Sequence, residues 1–78
     1  MAAADLVAHL ARGLVDDRDA VHVEQIERDG AIVLQLHVAK DEVGKVIGRQ
    51  GRIARALRTI VRACSARSNR RIMLEIVE

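Results

Sequence analysis

The hydrophobic residues of the first half of the chain repeat with two different periods. Between residues 3 and 15 they recur every three to four positions, which gathers them on one side of a helix and predicts an α-helix there. The pattern then changes to alternation and predicts two β-strands, over residues 20–27 and 31–38. Arg28-Asp29-Gly30 lies between them and is typical of a tight hairpin turn. Ile26 is out of phase with the alternation, so we expect a bulge or a frayed strand end there.

The second half of the chain predicts two helices and a final strand. The first helix is short, with Asp41 as a candidate N-cap, and stops at the turn Gly48-Arg49-Gln50-Gly51. A longer helix begins at about Arg52, with its apolar residues on one side. The opposite side carries three cationic residues, Arg55, Arg58 and Arg62. We expect a loop over Ser65–Asn69 and a strand over residues 71–77.

The predicted order of elements is helix, strand, strand, helix, helix, strand. The first two strands pair as an antiparallel hairpin, and two helices form a crossover long enough to bring the third strand parallel to the second. Such a sheet has one apolar face, which the three amphipathic helices can cover. The sequence therefore predicts an α+β domain with a three-stranded mixed sheet and three helices packed on one face. With 78 residues there is room for a single core, so residues 1–78 are interpreted as one domain.

The composition excludes several classes of function. The chain has no Phe, Trp, Tyr or Pro, so it cannot stack bases on aromatic rings or form a proline-rich ligand segment. Cys64 is the single cysteine, and His22 and His37 can be neighbours on the sheet without enough further ligands for a metal site. We therefore expect no metal, no cofactor, no catalytic residues and no enzymatic activity. Without a long apolar run or a convincing signal peptide, we expect no membrane association and a cytoplasmic location.

The charge of the chain is unevenly distributed. Residues 1–39 hold three basic and seven acidic side chains, whereas residues 40–71 hold ten basic and two acidic ones. The last seven residues add two acidic side chains, which leaves a formal net charge of +2. A basic block between acidic segments fits a surface that binds a polyanion, and it equally fits a well-solvated basic helix.

The turn between the two helices is the strongest candidate for chemistry. Gly48 and Gly51 lack Cβ atoms, so the backbone can turn sharply and approach other groups closely. The second helix starts at the turn, where its unpaired N–H groups and the positive end of its dipole suit a phosphate. Arg49, Arg52 and the nearby Lys45 add positive charge at the same place. Apolar residues on both sides of the turn hold the two helices against the sheet: Val46, Ile47 and Ile53.

The run from Ile47 to Ile53 resembles the I-G-x-x-G-x-x-I signature of KH domains, which bind single-stranded nucleic acids. The element order is similar to that of type II KH domains, and the resemblance covers the whole chain. The stretch GKVIGRQGRIARALRTIVRA and the ending LEIVE resemble the KhpA family of small bacterial single-KH proteins. The resemblance implies a groove for about four nucleotides between the helices at the turn and the open edge of the sheet. It also implies a variable loop within residues 65–71.

The resemblance implies a non-enzymatic RNA-binding module that acts as an RNA chaperone or post-transcriptional regulator. The expected partners are single-stranded RNA, a second copy of the chain and a larger KH-containing protein similar to KhpB. The alternative is a protein-interaction or dimerisation module whose glycine turn docks a partner protein. The role of Arg55 is left open between a phosphate contact and a contact with an acidic partner. The candidate RNA-binding residues are Lys45, Ile47, Gly48, Arg49, Gln50, Gly51, Arg52 and Arg55.

Overall fold

The computed structural model describes residues 2–78, which form three α-helices and three β-strands. The elements are α1 (Ala3–Arg12), β1 (His22–Arg28), β2 (Ala31–His37), α2 (Val43–Ile47), α3 (Arg52–Ser68) and β3 (Ile72–Ile76). Short 3₁₀ turns precede β1, α2 and α3. The predicted order α-β-β-α-α-β is confirmed, and with the mixed sheet it is that of a type II KH-like fold.

The three strands form one sheet in the order β1-β2-β3. The strands β1 and β2 are antiparallel, with His22 opposite His37. The predicted hairpin turn is confirmed, because Asp29 and Gly30 have φ angles of 52° and 79°, the paired positive values of a type I′ turn. The strands β2 and β3 are parallel, as the crossover predicted, with Leu34 opposite Leu74.

The hydrophobic core lies between the helices and one face of the sheet. The central strand β2 contributes Leu34 and Leu36, which are 1% and 0% exposed. The other largest fully buried side chains come one from each helix: Val7, Val46 and Val61. The helices therefore cover a single face, as predicted. Within residues 2–78, none of the helices has both the length and the apolar character needed to cross a lipid bilayer.

The irregularity predicted at Ile26 is absent from the described part of the sheet. Every residue of β1 has a partner in β2, and Ile26 lies opposite Val33. Val33 in turn lies opposite Met73, so these three residues form an apolar row on the face turned away from the helices. The row explains why Ile26 interrupts the alternation of β1. Ile26 packs beside Val33 of the neighbouring strand, and Val33 is buried on this face although no helix covers it.

Two helix boundaries differ from the predicted ones. Helix α1 stops at Arg12 rather than at residue 15, because Gly13 ends the hydrogen-bonded turns and its N–H donates to the carbonyl of Leu10. The loop predicted over Ser65–Asn69 is wrong, since α3 continues through Ser68 and only Asn69–Arg71 link it to β3. Residues 65–68 contain no helix breaker, and the helix ends at Asn69 because that residue adopts a left-handed conformation with φ of 55°.

Candidate nucleic-acid interface

The turn between α2 and α3 has three residues with positive φ angles. Gly48 has φ 77° and ψ 172°, a region that residues with a Cβ atom scarcely occupy. Gln50 (φ 58°, ψ 24°) and Gly51 (φ 74°, ψ 16°) are both left-handed, and Arg52 returns to the right-handed helix. The turn closes through a hydrogen bond from the N–H of Gly51 to the carbonyl of Gly48, 3.1 Å long. Consecutive left-handed residues thus reverse the chain at the start of α3.

The two glycines are required for different reasons. A Cβ atom on Gly48 would lie 2.7 Å from Cγ1 of Ile53 and 3.0 Å from its Cβ, so the Ile53 side chain occupies that space. A Cβ atom on Gly51 would have nothing within 4 Å. The close approach expected at the turn is therefore made by the Ile53 side chain against Gly48. Gly51 is needed only for its backbone conformation.

The turn presents positive charge and helix amides on one exposed surface. No side chain among residues 2–78 caps the N-terminus of α3, and its first turn contains no acidic residue. Arg49 and Arg52 flank this helix end, and both are exposed. The combination of an uncapped helix N-terminus and two guanidinium groups is suited to binding a phosphate.

The turn also receives a hydrogen bond from within α3. Nη2 of Arg55 donates to the carbonyl oxygen of Gln50 at 2.8 Å. The Arg55 side chain therefore reaches back toward the turn and engages its backbone. Arg58 and Arg62, on the same side of α3, make no hydrogen bond or ion pair with any residue in the range 2–78.

Lys45 is on α2 and belongs to an ion-pair network below the turn. Its Nζ atom lies 2.9 Å from Oδ2 of Asp16 and 3.0 Å from Oε2 of Glu42. The hydrogen bonds to these two carboxylates raise the pKa of Lys45 above its usual range. Its charge is therefore already partnered. Ile47 is half-buried at the end of α2, immediately before the turn.

Glu42 is a buried charged residue at the start of α2, with 5% of its surface exposed. Its carboxylate accepts hydrogen bonds from the backbone N–H groups of Asp16 (2.6 Å) and Asp17 (2.8 Å) and from Lys45. These bonds lower the pKa of Glu42 to about 2, with the two backbone donors as the largest cause. The predicted cap at Asp41 is wrong: that residue lies inside a 3₁₀ turn, and α2 has no side-chain cap. Instead, Glu42 ties α2 to the segment between α1 and β1.

A groove of about 230 Å³ runs between α3 and β3. Its apolar floor and cationic rim combine residues from both elements: Arg58, Val61, Arg62, Ile72, Met73 and Leu74. Of these, Met73 is 46% exposed, and its side chain lies on the face of the sheet turned away from α3, in the row with Ile26 and Val33. The sequence indicated the two arginines through their position on the polar side of α3. The exposure of Met73 depends on the sheet order, which leaves β3 at an edge.

The edge strand β3 also offers unpaired backbone groups to this groove. The N–H of Ile32 donates to the carbonyl of Arg71 at 2.8 Å. At the other end of the pairing, the N–H of Val77 donates to the carbonyl of Leu36 at 3.0 Å. Alternate residues of β3 therefore face β2, and the N–H and C=O groups of Leu74, between them, point to the open edge. A nucleobase in the groove could hydrogen-bond there.

The loop between α3 and β3 lies at the far end of the 17-residue helix from the glycine turn. At 1.5 Å per residue the two ends are about 24 Å apart. Arg70 and Arg71 in this loop are exposed. Oγ of Ser65 accepts a hydrogen bond from the N–H of Ile72 at 3.1 Å, which ties the start of β3 to α3. Cationic residues therefore occur at both ends of α3.

The two histidines singled out in the sequence meet on the face of the sheet turned away from the helices. The rings of His22 and His37 stack with centroids 4.3 Å apart and planes 2° from parallel. No group of three or more potential metal ligands occurs within residues 2–78. Cys64 is half-buried on α3. These residues lie apart from the turn.

The family of the chain follows from comparison with known proteins. The sequence profile of the family described as "KhpA/KhpB, KH domain" matches residues 4–76. This chain belongs to that family. The RNA-binding protein KhpA of Aquifex aeolicus is 50% identical over 95% of this chain and 94% of its own length. The KhpA protein of Borreliella burgdorferi is 46% identical over 95% of this chain and 90% of its own length. The KhpA protein of Treponema pallidum is 49% identical over 95% of this chain and 92% of its own length.

A solved structure shows the same fold in a larger protein. The crystal structure of Aquifex aeolicus Era bound to GDP·AlF4⁻ matches 95% of this chain with a TM-score of 0.60 and 17% identity. The chain spans 29% of the length of that protein. The resemblance to the KhpA family noted in the sequence is confirmed. The KhpA/KhpB KH-domain family is non-enzymatic, and the chain is accordingly not an enzyme.

Proposed function

We propose that this chain binds single-stranded RNA and grips the sugar–phosphate backbone with the turn Gly48–Gly51. The observation that supports the proposal best is the N-terminus of α3, which no side chain of residues 2–78 caps. This helix end directly follows the left-handed residues Gln50 and Gly51, and the exposed Arg49 and Arg52 flank it. The three relatives described above are each named an RNA-binding protein, in agreement with this assignment.

In this proposal the turn holds the phosphates and the groove receives the bases. The N–H of Arg52 already donates to the carbonyl of Arg49, so the N–H groups that follow it in α3 contact the phosphate. The guanidinium groups of Arg49 and Arg52 contact the same phosphate. The bases then lie along the groove, against half-buried Ile72 and the open edge of β3 at Leu74. A groove of this kind holds bases by aliphatic contacts and backbone hydrogen bonds, so it does not need the aromatic residues that the chain lacks.

The eight candidate residues contribute unequally in this proposal. Gly48, Gln50 and Gly51 shape the turn, and half-buried Ile47 supports it while leaving part of its surface for a nucleotide. Lys45 contributes least to phosphate binding, because its ammonium group is already paired with two carboxylates. The contribution of Arg55 is treated separately below.

The wider role proposed for the chain is that of a cytoplasmic RNA chaperone or post-transcriptional regulator. A single KH groove makes few contacts, so we expect weak and weakly selective binding by one copy. Pairing with a second copy, or with a larger KhpB-like protein, would raise the apparent affinity without new contacts in either groove.

A double substitution tests the assignment of the turn. Arg49→Asp with Gln50→Asp keeps both glycines, and Asp tolerates the left-handed conformation of residue 50. We expect RNA binding in a gel shift to fall at least tenfold, while the far-ultraviolet circular dichroism stays unchanged. The matched control, Arg18→Asp with Gln25→Glu, makes the same change in net charge at exposed positions outside the turn and should retain binding. Unchanged binding by the folded double variant would show that RNA is held elsewhere.

The salt dependence of binding separates RNA recognition from the alternative of a protein-docking turn. A complex dominated by backbone phosphates should weaken with a log–log slope of about −0.7 for each phosphate neutralised. Binding of a short unstructured oligoribonucleotide is measured between low and physiological salt. A flat response would favour docking of a protein partner at the turn.

A further inference from the structure

Arg55 occupies a special position among the three arginines on the exposed side of α3. It lies closest to the glycine turn, and its Nη2 atom donates to the carbonyl oxygen of Gln50 at 2.8 Å. Arg58 and Arg62 lie on the same side of the helix and make no hydrogen bond or ion pair within the described residues 2–78. The arginine side of α3 therefore contains one residue tied to the turn and two that are not.

The bond is made to the residue of the turn whose conformation is least favoured. Gln50 has φ 58° and ψ 24° although it carries a Cβ atom, and it lies between Arg49 and left-handed Gly51. A left-handed residue beside a glycine has nearby alternative conformations in which the peptide linking them is rotated. A hydrogen bond to the Gln50 carbonyl selects one orientation of that peptide. The opposite end of the same peptide is the N–H of Gly51, which donates to the carbonyl of Gly48.

We propose that Arg55 is a positioning residue that locks the Gln50–Gly51 peptide and thereby preorganises the phosphate-binding turn. This inference rests on the proposed function of the turn. The peptide is then held at both ends, by Arg55 at its carbonyl and by Gly48 at its N–H. The remaining N–H groups of the guanidinium stay free for the phosphate itself, because the group has five donors and uses one here.

The proposed role of Arg55 depends on the shape of its side chain and not only on its charge. A lysine at this position keeps the positive charge but replaces the planar fork of donors with a compact ammonium group. The ammonium group cannot reproduce the same fixed bond to the Gln50 carbonyl while also facing a phosphate. If Arg55 acted only as a charge near the RNA, lysine would serve as well.

The test compares Arg55→Lys with the matched controls Arg58→Lys and Arg62→Lys. Binding of a short unstructured oligoribonucleotide is measured over a range of salt concentrations. We expect Arg55→Lys to weaken binding about tenfold, the scale of one lost charge-assisted hydrogen bond. The slope against salt should stay the same because the charge is retained. The two control variants should change affinity less than twofold. Wild-type affinity in Arg55→Lys would overturn the inference.

A second measurement uses the protein without RNA. In the ¹⁵N NMR spectrum of free Arg55→Lys, the amide signals of Gln50, Gly51 and Arg52 should shift or broaden, and their hydrogen exchange should accelerate. The signals of β1 and β2 should not move. Unchanged turn signals in the free variant would refute a positioning role even if RNA binding were weaker. If the wild-type protein bound no RNA, the proposed function would fail, and the free-protein spectrum would still decide whether Arg55 orders the turn.

Discussion

Replacing Gly48 with alanine should destabilise the protein far more than the same change at Gly51. At Gly48 two costs combine. The φ and ψ of 77° and 172° are unfavourable for alanine by roughly 2 kcal/mol. The new Cβ would also lie 2.7 Å from Cγ1 of Ile53, and relieving such overpacking costs roughly 2 kcal/mol. At Gly51 the left-handed backbone costs about 1 kcal/mol, and a Cβ meets no other atom within 4 Å.

These values predict that Gly48→Ala lowers the free energy of unfolding by about 4 kcal/mol. That is a large share of the roughly 5–15 kcal/mol that typically stabilises a domain. The melting temperature should fall by about 20 °C, compared with about 5 °C for Gly51→Ala. Thermal and urea unfolding followed by circular dichroism at 222 nm measures both. A fixed concentration of the osmolyte TMAO keeps the weaker variant within the measurable range.

A double-mutant cycle with Ile53→Ala isolates the steric part of the cost. The shortened side chain removes the Cγ1 and Cδ1 atoms that crowd the new Cβ. In that background the cost of Gly48→Ala should fall from about 4 toward about 2 kcal/mol, with a remainder from the Cβ of residue 53 at 3.0 Å. The cost of Gly51→Ala should not change. Equal losses for the two glycine variants, or an unchanged cost of Gly48→Ala in the Ile53→Ala background, would refute the assignment of different roles to the two glycines.

Two further predictions concern the anchor of α2 and the end of α3. The folded-state pKa of Glu42 is lowered to about 2 from 4.5, so its stabilising effect is complete above pH 4.5 and is lost as the pH falls toward 2. Glu42→Gln should therefore destabilise the protein most above pH 4.5, and acid titration of urea unfolding should show the difference closing toward pH 2. The control Glu27→Gln makes the same substitution at an exposed carboxylate. A constant difference between wild type and Glu42→Gln across this pH range would contradict the assignment. Asn69 ends α3 with φ of 55°, so Asn69→Gly should raise the melting temperature. Asn69→Ala should lower it, because the free energy of unfolding falls by about 1 kcal/mol. Equal melting temperatures of the two variants would contradict the left-handed cap.

The features predicted well from the sequence depend on neighbouring residues. The Asp29-Gly30 turn follows from two residues that accept positive φ, and alternation along β2 identifies its buried face without knowledge of the rest of the chain. The position of the glycine turn is also local, since glycines three positions apart before an amphipathic helix define it. The loop predicted at Ser65–Asn69 was wrong because polar residues alone do not end a helix, and the stop came from the conformation of Asn69.

The features that were missed depend on residues far apart in the sequence. Lys45 was predicted as a cation near the turn, but its ammonium group pairs with Asp16, 29 positions away. The same network includes Glu42, which is buried in the fold. No residue next to Glu42 in the sequence indicated that burial. The interruption at Ile26 became understandable only when Val33 and Met73 were placed beside it in the sheet.

The sequence by itself determined the order of helices and strands, the hairpin turn and the place where α3 begins, because backbone preferences and hydrophobic periods act over a few residues. Only the tertiary structure decided which charges are free and which are paired, and why Gly48 has no room for a Cβ while Gly51 has. Those properties depend on distances between side chains that packing brings together, so local patterns do not contain them. The turn is therefore encoded locally, whereas the pairing of Lys45 with Asp16 beside it is set by the fold.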